Sequence, residues 1–405
     1  MADSLKPRVE PLTVDEGITD GPLKLTPLVL GAGVYGFDYN TADTLESTVP
    51  EQAVRTAFRY GIRTLDTSPY YTTSETVLGH VFDAIRDEFP RESYQIITKV
   101  GRYGRTKEQG FDYSPERVRA SVKRSMELMR TDYLDGVYCH DVEFVGEQVD
   151  DAGHEGWKVG PDGKIRDEDL ERWGLRDEDA GTIRGPGDEK VLAALKELFA
   201  LKKEGVIRAV GFSGFPLPTT LRLARLTAHH LEPLDLLQTY CLHTLQNNTL
   251  STYLPLLYAA GVKQIMCASP LSMGLLRSAA APQWHPASPA LQDANQAAIR
   301  ACTAKGLKLE DVALGYGFSS AKPRGAEGRE TPTVVGLSTA DEVHETMRVY
   351  RALYPAGGAK RTGREPGEPL EGAAEGLEAQ LELEKECVAI FKDSGTYNWT
   401  WAVGV

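Results

Sequence analysis

Short apolar runs rich in β-branched residues alternate along this chain with longer amphipathic stretches. The runs are LVLGAG (28–33), RTLDTS (63–68), YQIITKVG (94–101), LDGVYCHD (134–141), IRAVGFSG (207–214), LDLLQTYC (234–241), KQIMCASP (263–270) and TPTVVGL (331–337). Continuous short runs separated by helical patterns predict parallel strands buried on both faces. Between them, PEQAVRTAFRYG opens on Pro50 and stops on Gly61, and SPERVRASVKRSMELMRT offers Ser114 as an N-cap with Pro115 behind it. Eight such units predict an α/β fold of the (β/α)8 TIM-barrel type. A doubly wound sheet has fewer repeats and a clearer phosphate loop. A barrel of this kind carries its chemistry at the C-terminal ends of its strands.

Composition refines this picture. The 405 residues are 41% hydrophobic and 25% charged, enough for a full core and for either one large barrel or several smaller domains. The net charge is −13, which disfavours nucleic acid and anionic membranes as partners. That charge is concentrated. Segment 143–190 holds 15 acids and 7 bases, and segment 355–386 holds 8 acids and 4 bases, which leaves the remaining body close to −1. The expected organisation is therefore one barrel domain over 1–405 with two acidic additions. The first is a Gly- and Asp-rich inserted loop after the fourth strand. The second is a flexible linker that turns helical near Leu377, and neither is expected to form a core of its own. Cys139, Cys241, Cys267, Cys302 and Cys387 are scattered, with no CxxC pair, so reduced thiols in a cytoplasmic protein and no metal site are expected. No apolar run approaches the roughly 18 residues of a membrane span.

Gly31-Ala32-Gly33-Val34-Tyr35-Gly36 matches the dinucleotide fingerprint G-x-G-x-x-G directly after a strand. A helix should begin inside that motif, yet the first good helical pattern waits until Pro50. The acid ending the second strand, Asp66, lies 33 residues beyond Gly33 instead of about 20. A tight turn leaving a barrel strand is the better reading.

Four polar residues fall at or just past the ends of strands two, three and four: Asp66, Tyr71, Lys99 and His140. Singly, each has an ordinary structural explanation, such as a turn cap, a packed rim or a hydrogen-bonded core histidine. Together they suit proton transfer at a carbonyl or alcohol oxygen. A free phenol titrates near 10. A neighbouring ammonium, Lys99, would lower the pKa of Tyr71, Asp66 would orient Lys99, and His140 would direct the substrate oxygen. Such a set implies hydride chemistry with a nicotinamide.

On these residues the sequence resembles the aldo-keto reductases. GIRTLDTSPYYTTSETVLG (61–79) is similar to the family signature, with a tyrosine five residues after the aspartate; that spacing selects Tyr71 over Tyr70. The resemblance implies a catalytic tetrad of Asp66, Tyr71, Lys99 and His140. It also implies cofactor contacts at Ser213 and Gln238 toward the nicotinamide carboxamide, and at Ser269 and Leu271 in ASPLSMGLL toward the pyrophosphate. Where the family usually has Asn after that serine, this chain has Gly214. TVVGLSTADEVHET (333–346) matches the segment that presents a base to the 2′-phosphate in NADPH-preferring members. Here it offers Gly336 and Glu342, which implies NAD in preference to NADP.

Within the family, DTSPYY and GFSGFPLP look most like the NAD-dependent sugar 1-dehydrogenases. The implied reaction oxidises an aldose at C1, D-arabinose or a similar sugar such as L-galactose or L-fucose, to the aldonolactone, with Tyr71 as base. An NADPH-dependent carbonyl or pyridoxal reductase and a non-catalytic redox-sensing barrel are the alternatives. The large insertion is expected to border the sugar pocket or to lie idle, with Trp157, Trp173 and Trp284 as candidate pocket walls.

Overall fold

The computed structural model describes residues 4–18, 21–148, 165–320, 330–357, 361, 363–370, 372 and 376–401. Eight strands form where the apolar runs lie: β1 Leu28–Gly31, β2 Thr64–Asp66, β3 Gln95–Val100, β4 Leu134–Cys139, β5 Ile207–Ser213, β6 Leu236–Tyr240, β7 Gln264–Ala268 and β8 Thr333–Gly336. They are parallel and close in sequence order, β8 pairing back onto β1. The flanking helices are α1 Val49–Arg59, α2 Ser74–Ile85, α3 Pro115–Met129, α4 Pro186–Lys203, α5 Leu217–His230, α6 Leu250–Ala259, α7 Pro289–Ala304, α8 Leu309–Gly317, α9 Ala340–Leu353 and α10 Glu378–Asp393. This is a (β/α)8 TIM barrel.

Inward residues Val29, Ile97, Tyr138, Ala209, Leu236, Met266 and Val334 fill the barrel and pack with Leu23 and Leu25 of the N-terminal segment. That segment seals the end where strands begin, because Leu23 exchanges hydrogen bonds with the side chain of Gln264, the first residue of β7. At the same end Asp135 is held between Arg91 and Arg208, and Asp235 between Lys202 and Lys263. Charges so paired are structural, and the opposite end is open for chemistry.

The GAGVYG segment is a 3-10 turn over Ala32–Tyr35, as the tight-turn reading expected. It clamps the stretch after β2. Thr73 and Ser74 donate to the carbonyls of Tyr35 and Ala32, and a Cβ on Gly36 would stand 2.6 Å from the Tyr71 carbonyl oxygen. Glycine at 36 is a requirement of close approach. Ser114 does cap α3, but its hydroxyl turns to Asp112 at 2.6 Å rather than to the helix.

The two acidic additions differ from what their composition suggested. Past residue 164 the insertion forms a short helix, Asp167–Arg172, and its Ile165, Trp173 and Leu175 join the main core. Trp173 is therefore a packing residue and not a pocket wall. Arg222 of α5 makes a two-pronged pair with the buried Asp188 of α4, and Arg225 reaches the Leu175 carbonyl and Asp177, so this part of the insertion lies on the outer helices. Trp157 falls outside the described residues.

The second addition is not a slack linker where it is described. Arg361 donates to the carbonyls of Phe318 and Thr331. Arg364 grips Glu384 of α10 with two hydrogen bonds of 2.5 and 2.7 Å, both side chains sealed from water. α10 then builds a second hydrophobic core with α7 and α8, in which Leu383, Cys387 and Phe391 pack with Leu291, Cys302 and Tyr316. All five cysteines are free and buried.

Candidate active site

A cleft of about 1080 Å³ opens at the C-terminal ends of the strands. It gathers Asp66, Tyr71, Lys99, His140, Ser213, Gln238, Ser269, Leu271, Gly336 and Glu342 along one wall-to-wall path. Each of these ten, picked from sequence, lines it.

Asp66 ends β2, Lys99 lies near the end of β3, and His140 directly follows β4; Asp66 pairs with Ile97 and Lys99 with Tyr138, so each polar group stands two residues further along its strand than the last, all at the open end. The Lys99 ammonium donates to Asp66 Oδ1 at 2.6 Å, to the Thr67 carbonyl at 3.0 Å and to the Tyr71 hydroxyl at 3.3 Å. Burial alone would favour a neutral amine, but the Asp66 carboxylate and the Tyr71 oxygen hold the Lys99 pKa above the ordinary lysine range. Tyr71 departs from expectation. Burial raises its pKa above that of a free tyrosine, and the opposing pull of Lys99 does not overcome it. The ammonium is placed as foreseen, but desolvation of the phenolate is the larger effect.

His140 is held neutral, its pKa well below the usual value through burial and the nearby Lys99 and Arg102 cations. Its Nδ1 lies 2.9 Å from Ser68 Oγ, and its Nε2 lies 3.6 Å from Asp141 Oδ2. With an acceptor carboxylate beside Nε2 and a hydroxyl free to donate to Nδ1, the favoured tautomer carries its proton on Nε2. Tyr71 and His140 meet edge to face with ring centroids 5.8 Å apart. A substrate oxygen between them meets a phenol, an imidazole N–H and an ammonium. That set serves proton exchange at an oxygen whose carbon gains or loses hydride.

The rest of the cleft has two characters. Around Tyr71 the walls are aromatic and charged. Tyr70 carries the Arg102 guanidinium 3.9 Å over its ring, and Arg102 is ion-paired to Asp141. Trp284 stands edge-on to Tyr39, and Trp401 stacks on Phe215 at 4.4 Å with an 8° tilt between ring planes. Away from Tyr71 the cleft runs past Ser269, whose Oγ accepts from the Met273 N–H at 2.7 Å, to Gly336 and Glu342. Glu342 lines this end while accepting from the Ser338 N–H at 2.6 Å.

The wall residues that the sequence pattern passed over include Arg102, Asp141, Glu143, Phe144 and Trp401. Of the insertion, Glu143 and Phe144 border the cleft, while none of its described residues beyond 144 does so. The C-terminal tail takes that place. Trp401 is carried there by α10, and Gln246 Nε2 donates to the carbonyls of Thr396 and Trp399.

Residues 27–357 match the Aldo/keto reductase family. The chain belongs to that family. Its curated relatives include D-arabinose 1-dehydrogenase of Saccharomyces cerevisiae, 35% identical over 337 residues, 82% of this chain and 85% of that one. L-galactose dehydrogenase of Arabidopsis thaliana is 34% identical over 307 residues, 75% of this chain and 78% of that one. Among solved structures, the glycerol dehydrogenase of Gluconobacter oxydans superposes with a TM-score of 0.56 at 16% identity, over 97% of this chain and 99% of that one, a likeness of fold. Membership of the aldo/keto reductases makes the protein an oxidoreductase that uses a nicotinamide cofactor, with sugar dehydrogenases among its relatives. Among the described residues, no helix is long and apolar enough to cross a membrane.

Proposed function

We propose that the protein oxidises an aldose at C1 to the aldonolactone with NAD, the sugar being D-arabinose or a relative such as L-galactose or L-fucose. The observation that carries this reading is the Asp66–Lys99–Tyr71 chain of contacts beside a neutral His140 in an aromatic, polar cleft. The two sugar dehydrogenase relatives support the substrate class.

The cleft suits a nicotinamide dinucleotide. Gln238 Oε1 is buried there without a hydrogen-bond partner, next to Ser213, its register neighbour on β5. Ser213 and Gln238 would hold the nicotinamide end, with Ser269 and Leu271 along the pyrophosphate and Gly336 and Glu342 at the adenosine. When bound, NAD supplies the acceptor for the C1 hydride. The chain supplies the rest. Tyr71 takes the anomeric hydroxyl proton, Lys99 stabilises the phenolate character this requires, and His140 Nε2–H fixes the direction of the same oxygen. Arg102 and Asp141 offer donors and acceptors to the ring hydroxyls.

NAD is favoured over NADP by Glu342 at the far end of the cleft, since Asp341 is already paired to Arg8 and Asp311 and Glu345 to Arg348. A 2′-phosphate there would face the Glu342 carboxylate, whereas ribose hydroxyls can donate to it. A panel of pentoses and hexoses with both cofactors tests the proposal. Turnover of at least one of the three named sugars is expected, with kcat/KM for NAD about tenfold or more above that for NADP. No turnover of any of them defeats the substrate assignment, and a tenfold preference for NADP defeats the cofactor assignment.

Trp401 tests the aromatic wall separately. Trp401→Ala is expected to raise the sugar KM by about three- to tenfold with kcat little changed, the pattern of lost uniform binding. An unchanged KM would remove the tail from the sugar site.

A further inference from the structure

Glu143 lies at the start of the acidic insertion, borders the cleft, and has no part in the proton chemistry above. It is 1% exposed. Its Oε1 accepts from the Phe215 N–H at 3.0 Å, while Oε2 is buried with no hydrogen-bond partner. Burial and the neighbouring Asp141 push its pKa up to about 8. A carboxyl held dry with one idle oxygen is costly to keep unless something else completes it.

Its location says what that is. Gly214 follows Ser213 at the end of β5, and a Cβ built on it would stand 3.0 Å from Glu143 Oε2, 3.2 Å from Thr220 Oγ1 and 3.3 Å from Val142 Cγ2. The backbone at 214 is not among the left-handed positions, so nothing in φ demands glycine. The carboxyl oxygen occupies the space into which a side chain at 214 would grow. From one wall, three groups then face the cleft together. Ser213 Oγ already accepts the Asp141 N–H and keeps its proton to give. Gln238 Oε1 and Glu143 Oε2 are both unpartnered. A primary carboxamide has one carbonyl oxygen and two N–H bonds, which this trio complements: the hydroxyl meets the oxygen and the two acceptors meet the N–H bonds. In protonated form the Glu143 carboxyl can also donate to that oxygen.

We infer that Glu143 binds the carboxamide of the nicotinamide from the space that a side chain at position 214 would otherwise fill. The inference rests on the nicotinamide-dependent reading of this cleft.

The test is fluorescence titration of the full chain with NADH and with reduced 3-acetylpyridine adenine dinucleotide, in which a methyl ketone replaces the carboxamide. Wild type is expected to bind the analogue about tenfold more weakly than NADH, a comparison that needs no variant. Glu143→Ala is expected to weaken NADH about tenfold or more and to lose discrimination against the analogue, whereas Glu143→Gln stays within about threefold of wild type. Adding Gly214→Asn to Glu143→Ala, where the obstructing carboxyl is gone, is expected to restore most of the affinity. An unchanged NADH Kd in Glu143→Ala overturns the inference; if the sugar KM rises instead, the carboxyl serves the sugar. Folded wild type that binds no NADH would overturn the nicotinamide reading as well.

Discussion

Tyr71→Phe is expected to lower kcat for aldose oxidation by about 10²–10⁴-fold, the usual contribution of a positioned proton acceptor. The NADH Kd should stay within about twofold, because the lost hydroxyl contacts Lys99 and lies apart from the wall at Ser213 and Gln238 that is proposed to hold the cofactor. The pH dependence follows from the direction of the Tyr71 shift. Its phenol titrates above the ordinary tyrosine range because burial disfavours the phenolate more than Lys99 favours it. The base form is therefore scarce at neutral pH, and sugar oxidation should climb with pH through the alkaline range. Lys99→Met removes the cation 3.3 Å from the hydroxyl, which raises the phenol pKa further and moves that limb to still higher pH. Steady-state rates of both variants across pH check this. Retained turnover in Tyr71→Phe would mean that another group takes the proton, and an alkaline limb that stays in place in Lys99→Met would mean that the ammonium does not act through Tyr71.

The parts of this site that the sequence revealed are those set by local chemistry. A parallel strand buried on both faces writes a short apolar run, and a polar residue that interrupts it near its C-terminal end is placed for the open mouth of the barrel, so Asp66, Lys99 and His140 were legible as a group before any coordinates. Glu342 and Gly336 were legible in the same way, from the end of β8. Two things were not. The direction of the Tyr71 shift depends on how much water the folded cleft removes, and no spacing of residues reports that. The tail is the other. Trp401 reaches the cleft through contacts such as Thr396 to Gln246 and Asn398 to Asn248, each spanning 150 residues, and a distance of that kind leaves no periodic trace. Charge density misled in the same region. Segment 355–386 reads as a flexible linker that turns helical, yet Arg361, Arg364 and Glu384 hold their charges inside the protein.

That buried pair supports the second large effect. Glu384→Ala is expected to destabilise the protein by about 3–5 kcal/mol, because it strands the Arg364 guanidinium in a sealed site. The carboxylate also accepts the Gly367 N–H at 2.7 Å, so the turn leading into α10 loses its anchor too. Arg364→Met combined with Glu384→Leu removes both charges together, and should recover most of the loss, since apolar replacement of a whole buried pair is often neutral. Urea or guanidinium unfolding followed by circular dichroism gives the comparison. An unshifted midpoint in Glu384→Ala would show that the pair is dispensable. The consequence extends to the cleft, because α10 carries the tail whose Trp401 stacks on Phe215. Glu384→Ala should therefore raise the sugar KM in the same direction as Trp401→Ala while leaving the tetrad geometry on β2, β3 and β4 untouched. A fall in stability without a rise in KM would separate the second core from the proposed sugar site, leaving the tail positioned by Gln246 and Asn248 alone.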